Sequence, residues 1–353
     1  MIQPGWDMSD RFDRAPARAL LLILAVTTVA VLACAPSATA PGAAPKNVHF
    51  MAGYKPQANL PFVAAYVAQS QGFFAAQNLN VQISHSAGQG EHLKLMLQGS
   101  VDVTTGAADA VLGRRSESLP VTAFALFGQR GDIAYAVLEA SEIRTPRDFE
   151  GHTVGFKINP APEYLALLKT AGVDRSRIQE VPVGFDPRLL AAGRVDVYPV
   201  FESNEPHTLL KLGVPTRLIR AADYGVPTLG LTYITRESLI NDDPDLLTRF
   251  LKATLRGVEF ARANLDTATD IVMQNAPNED REHQRNMLEV ELNMADGPVS
   301  RANGTGWATY EQWQALQNAL IEFGGLKSPV APDAVFSDRI LRSVYRNGQL
   351  IWP

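Results

Sequence analysis

The chain predicts a two-lobed α/β fold with largely parallel strands, and three observations carry that expectation. At about 100–200 residues per domain, its 353 residues favour two domains over one. From Val48 onward, short apolar runs alternate with helical patterns, the arrangement that builds parallel sheets through helical crossovers. One local pattern also occurs twice: Gly99-Ser-Val-Asp102-Val103 and Gly193-Arg-Val-Asp196-Val197, 94 residues apart. Each copy follows a leucine-bearing helix that a glycine closes, and each places an Asp near the start of a strand.

Taken in order, Val48–Ala52 reads as a strand, Leu60–Gln71 as a helix and Val81–Ser84 as a strand. Glu91–Leu97 is helical, followed by strands at Val101–Thr105, Val121–Phe127 and Ala134–Leu138. Thr153–Phe156, Ile178–Val183 and Val195–Val200 continue the strand series, with helices starting near Pro162, Pro187 and Glu205. After Thr235 the chain is mostly helical, over Pro244–Asn264, Thr267–Gln274, Glu279–Met294 and Trp307–Phe323. Crossings between lobes are expected near Arg130–Ala134 and Tyr224–Leu229. Lobe two then spans 131–225 as an insertion, and 46–130 with 226–353 form lobe one, the C-terminal helices covering its outside.

The N-terminus carries an address. Arg11, Arg14 and Arg18 precede an apolar run from Ala19 to Ala33. That run is too short for a membrane-spanning helix, which needs about 20 residues, and it reads as a secretory signal. It ends at Cys34, the single cysteine of the chain. Val31-Leu32-Ala33-Cys34 resembles the bacterial lipobox, although leucine is commoner at the Val31 position. The resemblance implies cleavage after residue 33, lipidation of Cys34 and anchoring on the extracytoplasmic side of the cell membrane. An exported chain with one cysteine has no internal disulfide, and a lipid would account for the leftover thiol. Residues 34–45, rich in Ala, Pro, Ser and Gly, then form a flexible tether. A plain secretory signal with an incidental Cys34 is the alternative, and Met8 is a second candidate start.

Lys and Arg total 32 against 37 Asp and Glu, a net charge of −5, which gives no basic footprint for nucleic acid. No nucleophile elbow, P-loop or His-Glu-x-x-His motif occurs. The six histidines show no metal-ligand spacing. Asp102 and Asp196 read as a repeated structural position, not a catalytic pair.

A family resemblance follows from Gly53-Tyr54-Lys-Pro56-Gln-Ala-Asn59-Leu-Pro-Phe62-Val-Ala-Ala-Tyr66-Val-Ala68 with Gln71-Gly72-Phe73-Phe74. Thr145-Pro-Arg-Asp-Phe-Glu-Gly151, the two Gly…Asp echoes and Phe201-Glu-Ser-Asn204-Glu205-Pro206 belong to the same pattern. Together they resemble bacterial solute-binding proteins of the thiamine-precursor, riboflavin and sulfonate–nitrate group. The resemblance implies a periplasmic-binding-protein type II fold, with two α/β lobes on a two-stranded hinge closing over a small molecule. It further implies partners: an ABC permease in the membrane and a separate ATPase subunit. No cofactor is expected.

Ligands of open α/β sheets sit beyond the carboxyl ends of strands. Candidate contacts there are Tyr54, Asn59, Phe62, Asp109, Phe156, Asn159, Tyr164, Phe201, Asn204, Glu205 and Tyr224. Aromatics suit a flat heteroaromatic ligand. Asn59, Asn159 and Asn204 match a C=O/N–H ring edge, and an ionised Glu205 would accept from an amino group. Lys157 and Arg130 are the only basic candidates, which disfavours anions. For Glu205 the alternative is negative charge at a helix N-terminus behind an Asn204 cap. The opening Gly-Tyr-Lys-Pro is closer to the riboflavin branch, so riboflavin is the expected ligand and a pyrimidine thiamine precursor the alternative. An enzyme of the pyrimidine-synthase type depends on a cysteine-rich motif that this chain lacks. A sensing domain without an importer is the third class.

Overall fold

The computed structural model describes residues 44–353. The expected signal peptide (1–33), the lipidation site Cys34 and all but the end of the 34–45 tether lie outside the described residues.

The first lobe opens with β1 (Lys46–Ala52), α1 (Leu60–Ser70), β2 (Leu79–His85) and α2 (Glu91–Leu97). It continues through β3 (Val103–Ala107), α3 (Ala108–Ser116) and β4 (Val121–Leu126). The second lobe contains β5 (Ile133–Leu138), β6 (Thr153–Phe156), α4 (Pro162–Ala171) and β7 (Gln179–Pro182), then β8 (Tyr198–Phe201), α5 (Glu205–Lys211) and β9 (Thr216–Ile219). The chain returns in β10 (Leu231–Arg236) and ends in helices, chiefly α6 (Pro244–Ala263), α7 (Leu265–Asn275), α8 (Arg281–Met294) and α9 (Tyr310–Glu322).

Strand direction departs from the expected largely parallel sheets. The first sheet has the order β2-β1-β3-β10-β4, and β1 runs parallel to β2 and β3. β10, however, is antiparallel to both β3 and β4. In the second lobe β5 is antiparallel to β8 and β9, while β6 and β7 are parallel. The reason is the route of the chain. β4 leaves the first sheet at its hinge end and β10 re-enters at that same end, so the two must oppose. β5 likewise starts at the hinge, where β8 finishes, pairing Ile133 with Phe201.

The repeated Gly…Asp pattern has one physical meaning in both places. Gly99 and Gly193 take left-handed φ values of 81° and 63°, where an L side chain is strained. Three residues on, Asp102 Oδ2 accepts from His49 N at 3.0 Å, and its own N–H donates to His49 O at 2.9 Å. Asp196 does the same to Thr153, at 2.8 and 2.9 Å. Each aspartate therefore ties a helix exit to the start of the adjacent parallel strand.

The apolar residues separate with the sheets. One core gathers Phe50, Phe124, Tyr233 and Phe250 with the C-terminal helices, and the second lobe holds Tyr135, Phe149, Leu167 and Val197. Two segments join the lobes. Phe127 N donates to Leu231 O at 2.8 Å and Gly230 N to Gly128 O at 2.9 Å. A Cβ on Gly128 would fall 2.8 Å from Gly230 Cα, so side chains are excluded where the hinge segments meet.

Helix α6 lies along α1, and the approach is closest at Gly257, whose Cβ would sit 2.4 Å from Ala64 O. Because the obstacle is backbone, it cannot rotate aside. Gly257→Ala is therefore expected to destabilise the protein by about 1–3 kcal/mol despite raising helix propensity. Urea titration of the two proteins checks this; equal midpoints would show that α6 can shift freely.

Candidate functional site

A cavity of about 1120 Å³ opens between the lobes. The loop after β1, from Gly53 to Asn59, and the start of α3 form one wall; Ala161–Glu163, Phe185 and Phe201–Glu205 form the other. The hinge residues Gly131–Ile133 and Val226–Gly230 make its base. Helices α8 and α9 close a third side through Gln284, Met287 and Leu320. The C-terminal helices thus do more than cover lobe one.

The predicted contacts divide into three groups. Tyr54, Asp109, Phe201, Asn204 and Glu205 line the large cavity, as do Asn59 and Phe62. Tyr54 is 54% exposed and Phe201 38%, so both leave ring surface open at the cavity, as does Phe185 at 64%. Phe62 is buried in the first turn of α1, against His85. Asn59 stands at the N-cap position of α1 and its carboxamide is engaged: Nδ2 donates to Glu291 Oε1 at 2.8 Å and Oδ1 accepts from Gln57 at 2.6 Å. Asn204 Oδ1 accepts from His283 Nε2 at 2.9 Å. Glu205 is buried, pairs with Lys157 Nζ at 2.6 Å and accepts from Phe201 N at 2.7 Å. Its place as the first residue of α5 matches the helix-terminus reading, while its bond to Phe201 N positions that ring.

Phe156, Asn159 and Tyr164 face elsewhere. They line a separate hollow of about 80 Å³ behind Phe201, and Tyr164 is buried in the second-lobe core beside Tyr135. Tyr224 lines neither space, because the turn Ala221–Tyr224 packs on the second-lobe core. Proximity to a strand end did not distinguish these from true cleft residues.

Sequence reasoning missed several residues that shape the cavity: Asp132, Glu163, His283, Gln284 and, through its bond to Asn59, Glu291. Glu163 carried a signal, since it follows the helix-starting Pro162. The α8 residues carried none, because only the tertiary fold brings residues near 290 to the loop at 59.

Charge is distributed unevenly. The cations near the cavity are engaged: Lys55 with Glu279, Arg114 with Glu117, Lys157 with Glu205, and both Arg130 and Arg220 with Glu202. Asp109, Asp132 and Glu163 form no ion pair among the described residues. Asp109 is exposed to the cavity, and the desolvating effect of the protein packed around it raises its carboxyl above the ordinary value. Burial, with the Asp109 and Asp132 charges adding to it, pushes Glu163 up to about 8. Burial alone would raise Glu202 too, but hydrogen bonds from Arg220 and Arg130 hold it below the ordinary range. No group of three or more His, Cys, Asp or Glu among the described residues is placed to hold a metal, and no described helix is long and apolar enough to cross a membrane.

A family model described as NMT1/THI5 like matches residues 59–268, more than half of the chain. The chain belongs to the NMT1/THI5-like family. Its full-length relatives include the riboflavin-binding protein RibY of Chloroflexus aurantiacus, 26% identical, the match covering 91% of this chain and 96% of RibY. A formylaminopyrimidine-binding protein of Halalkalibacterium halodurans is also 26% identical, over 90% and 96% of the two chains. The periplasmic aliphatic sulphonate binding protein SsuA of Escherichia coli superposes with a TM-score of 0.63 at 13% identity, over 82% of this chain and 92% of SsuA. The desulfurization enzyme DSZB reaches 0.58 at 14% identity, over 84% and 98%. The NMT1/THI5-like chain therefore has the periplasmic-binding-protein fold, a scaffold that also carries an enzyme.

Two expectations follow. Lys157 and Glu205 are both largely buried, so Lys157→Met strands a carboxylate and should cost about 3 kcal/mol in denaturant unfolding; an unchanged midpoint would mean that Glu205 has water access. Glu163 holds its proton up to about 8 when folded and only to the ordinary carboxyl range when unfolded. In that window the folded state binds more protons, so stability should fall as pH rises through it. Thermal unfolding of Glu163→Gln should show a flatter profile over the same pH range, and an identical slope would remove Glu163 as the cause.

Proposed function

We propose that this NMT1/THI5-like protein is the extracytoplasmic solute-binding component of an ABC importer, with riboflavin as its ligand. The observation that carries the reading is the lining of the cleft: open rings of Tyr54, Phe185 and Phe201 beside carboxyl groups that lack cation partners. Such a surface takes an aromatic ligand that is rich in hydrogen-bond donors and carries no negative charge. A flavin ring stacks on the aromatics at about 0.5–1.5 kcal/mol per pair beyond area burial. Its hydroxylated side chain offers donors to Asp109, which accepts when ionised, and to Glu163, which accepts in either state. A sulfonate would face those same carboxyls with every nearby cation engaged.

Volume supports riboflavin over the thiamine precursor. A cavity of about 1120 Å³ lies just above the roughly 300–1,000 Å³ that encloses a drug-sized ligand, and it is large for one pyrimidine ring. The precursor reading draws support from the equally similar formylaminopyrimidine-binding relative and from Glu205, an acceptor for an amino group. Export, lipidation at Cys34 and delivery to a permease driven by a separate ATPase complete the proposal. Ligand binding favours lobe closure only to the extent that the closed form binds it more tightly.

The test is fluorescence titration of the purified protein with riboflavin and, separately, with formylaminopyrimidine. Saturable flavin quenching near one ligand per protein is expected, and Tyr54→Ala should weaken it by about 1–3 kcal/mol. Binding of the pyrimidine alone would assign the protein to the precursor, and wild-type affinity in the variant would remove Tyr54 from the site.

A further inference from the structure

Two carboxyl groups meet one hydroxyl where the lobes join. Ser203 Oγ lies 3.2 Å from Asp132 Oδ2 and 3.5 Å from Glu291 Oε1. Asp132 and Ser203 stand on the second-lobe side and Glu291 on α8. A serine hydroxyl has one proton and can donate to one of these groups only. The other contact sets acceptor against acceptor, unless that carboxyl itself carries a proton.

The surroundings decide which carboxyl that is. Glu291 accepts from Asn59 Nδ2 at 2.8 Å and Leu60 N at 3.1 Å, at the N-terminus of α1, where negative charge is favoured. The Asp132 carboxyl has, besides the hydroxyl, only Ser203 N at 3.2 Å among the described residues. Its charged neighbours are Glu202 and Glu291, with Glu163 and Asp109 beyond, and the two near cations, Arg130 and Arg220, both bind Glu202. From α8, His283 also faces this region and donates to Asn204, while Gln284 is neutral and accepts from Ala58 N.

We propose that Asp132 carries a proton when the lobes meet, and that a chain runs from Asp132 Oδ2–H to Ser203 Oγ and from Ser203 Oγ–H to Glu291 Oε1. Opening the cleft parts Ser203 from Glu291, admits water and releases the proton. Closure is thus coupled to uptake of one proton, whichever ligand the cleft takes. Burial raises both carboxyls, but at Glu291 the bonds from Leu60 N, Asn59 and Ser203 work against it, whereas at Asp132 the Glu291 charge adds to it, in accord with this geometry. The sign is fixed: between the ordinary carboxyl range and the raised value the closed form binds the extra proton, so rising pH favours opening.

Solution scattering of the ligand-free protein and infrared difference spectra, from about pH 5 to about 9, test the coupling. The wild type is expected to expand as pH rises and to lose a protonated-carboxyl C=O band in step. Asp132→Asn, whose amide donates to Ser203 Oγ without titrating, should stay compact and keep only the Glu163 share of that band, whereas Glu163→Gln should still expand and keep the Asp132 share. Should Asp132→Asn fold poorly, Glu291→Gln serves: removing the neighbouring charge should shift the band's midpoint downward. Riboflavin affinity should fall by up to about tenfold per pH unit above the midpoint in the wild type and be flat in Asp132→Asn. Compactness independent of pH, or an unchanged response in Asp132→Asn, overturns the coupling. Failure of riboflavin to bind at any pH overturns the ligand reading instead and leaves scattering to decide this one.

Discussion

The carboxylate of Glu202, gripped by two arginines, determines much of what the rest of the molecule can do. Arg130 reaches it at 2.7 and 2.9 Å from the outgoing hinge segment, and Arg220 at 2.7 and 3.0 Å from the segment before the return. Paired, charge-assisted contacts of this kind fix geometry as well as contributing energy. They tie both connections between the lobes to the end of β8. They also remove two guanidiniums from the cleft, leaving its other carboxyl groups without a cation partner.

That subtraction gives the cleft its chemical character. Asp109, Asp132 and Glu163 have the surrounding protein set against their ionised forms, and the last two neighbouring carboxylate charges as well, so each resists ionisation. The ring of Phe201 is held by structural bonds, through Glu205 and by Lys157 Nζ 3.9 Å from its centroid. Selectivity in such a site comes from ring surface and hydrogen-bond acceptance side by side on both walls.

Much of this framework was legible in the sequence. Periodicity located β6 and α2 to the residue, because a short apolar run bounded by turn residues has few other readings. The echo of Asp102 and Asp196 was readable as a structural position because the same local bonds recur in both lobes. Strand direction was not readable: nothing in Leu231–Arg236 says that it enters between β3 and β4 against their direction. β9 and α3 also escaped notice, the first being four residues long. The loop Tyr54–Phe62 and the run Phe201–Glu205 announced the cleft because short polar and aromatic residues cluster there. Tyr164 and Tyr224 shared that appearance but pack inward. Glu291 could not be found at all, since its partners at Asn59 and Ser203 are remote in sequence.

The bare backbone at Gly128 and Gly230 has a mechanical consequence. Where the two main chains cross there, no side chains stand between them, so the crossing itself has no rotamers to rearrange as it turns. More of the energy difference between open and closed lobes then resides at the rims and in the cleft. A molecule entering there acts on that share of the balance, like a weight set at the far end of an arm.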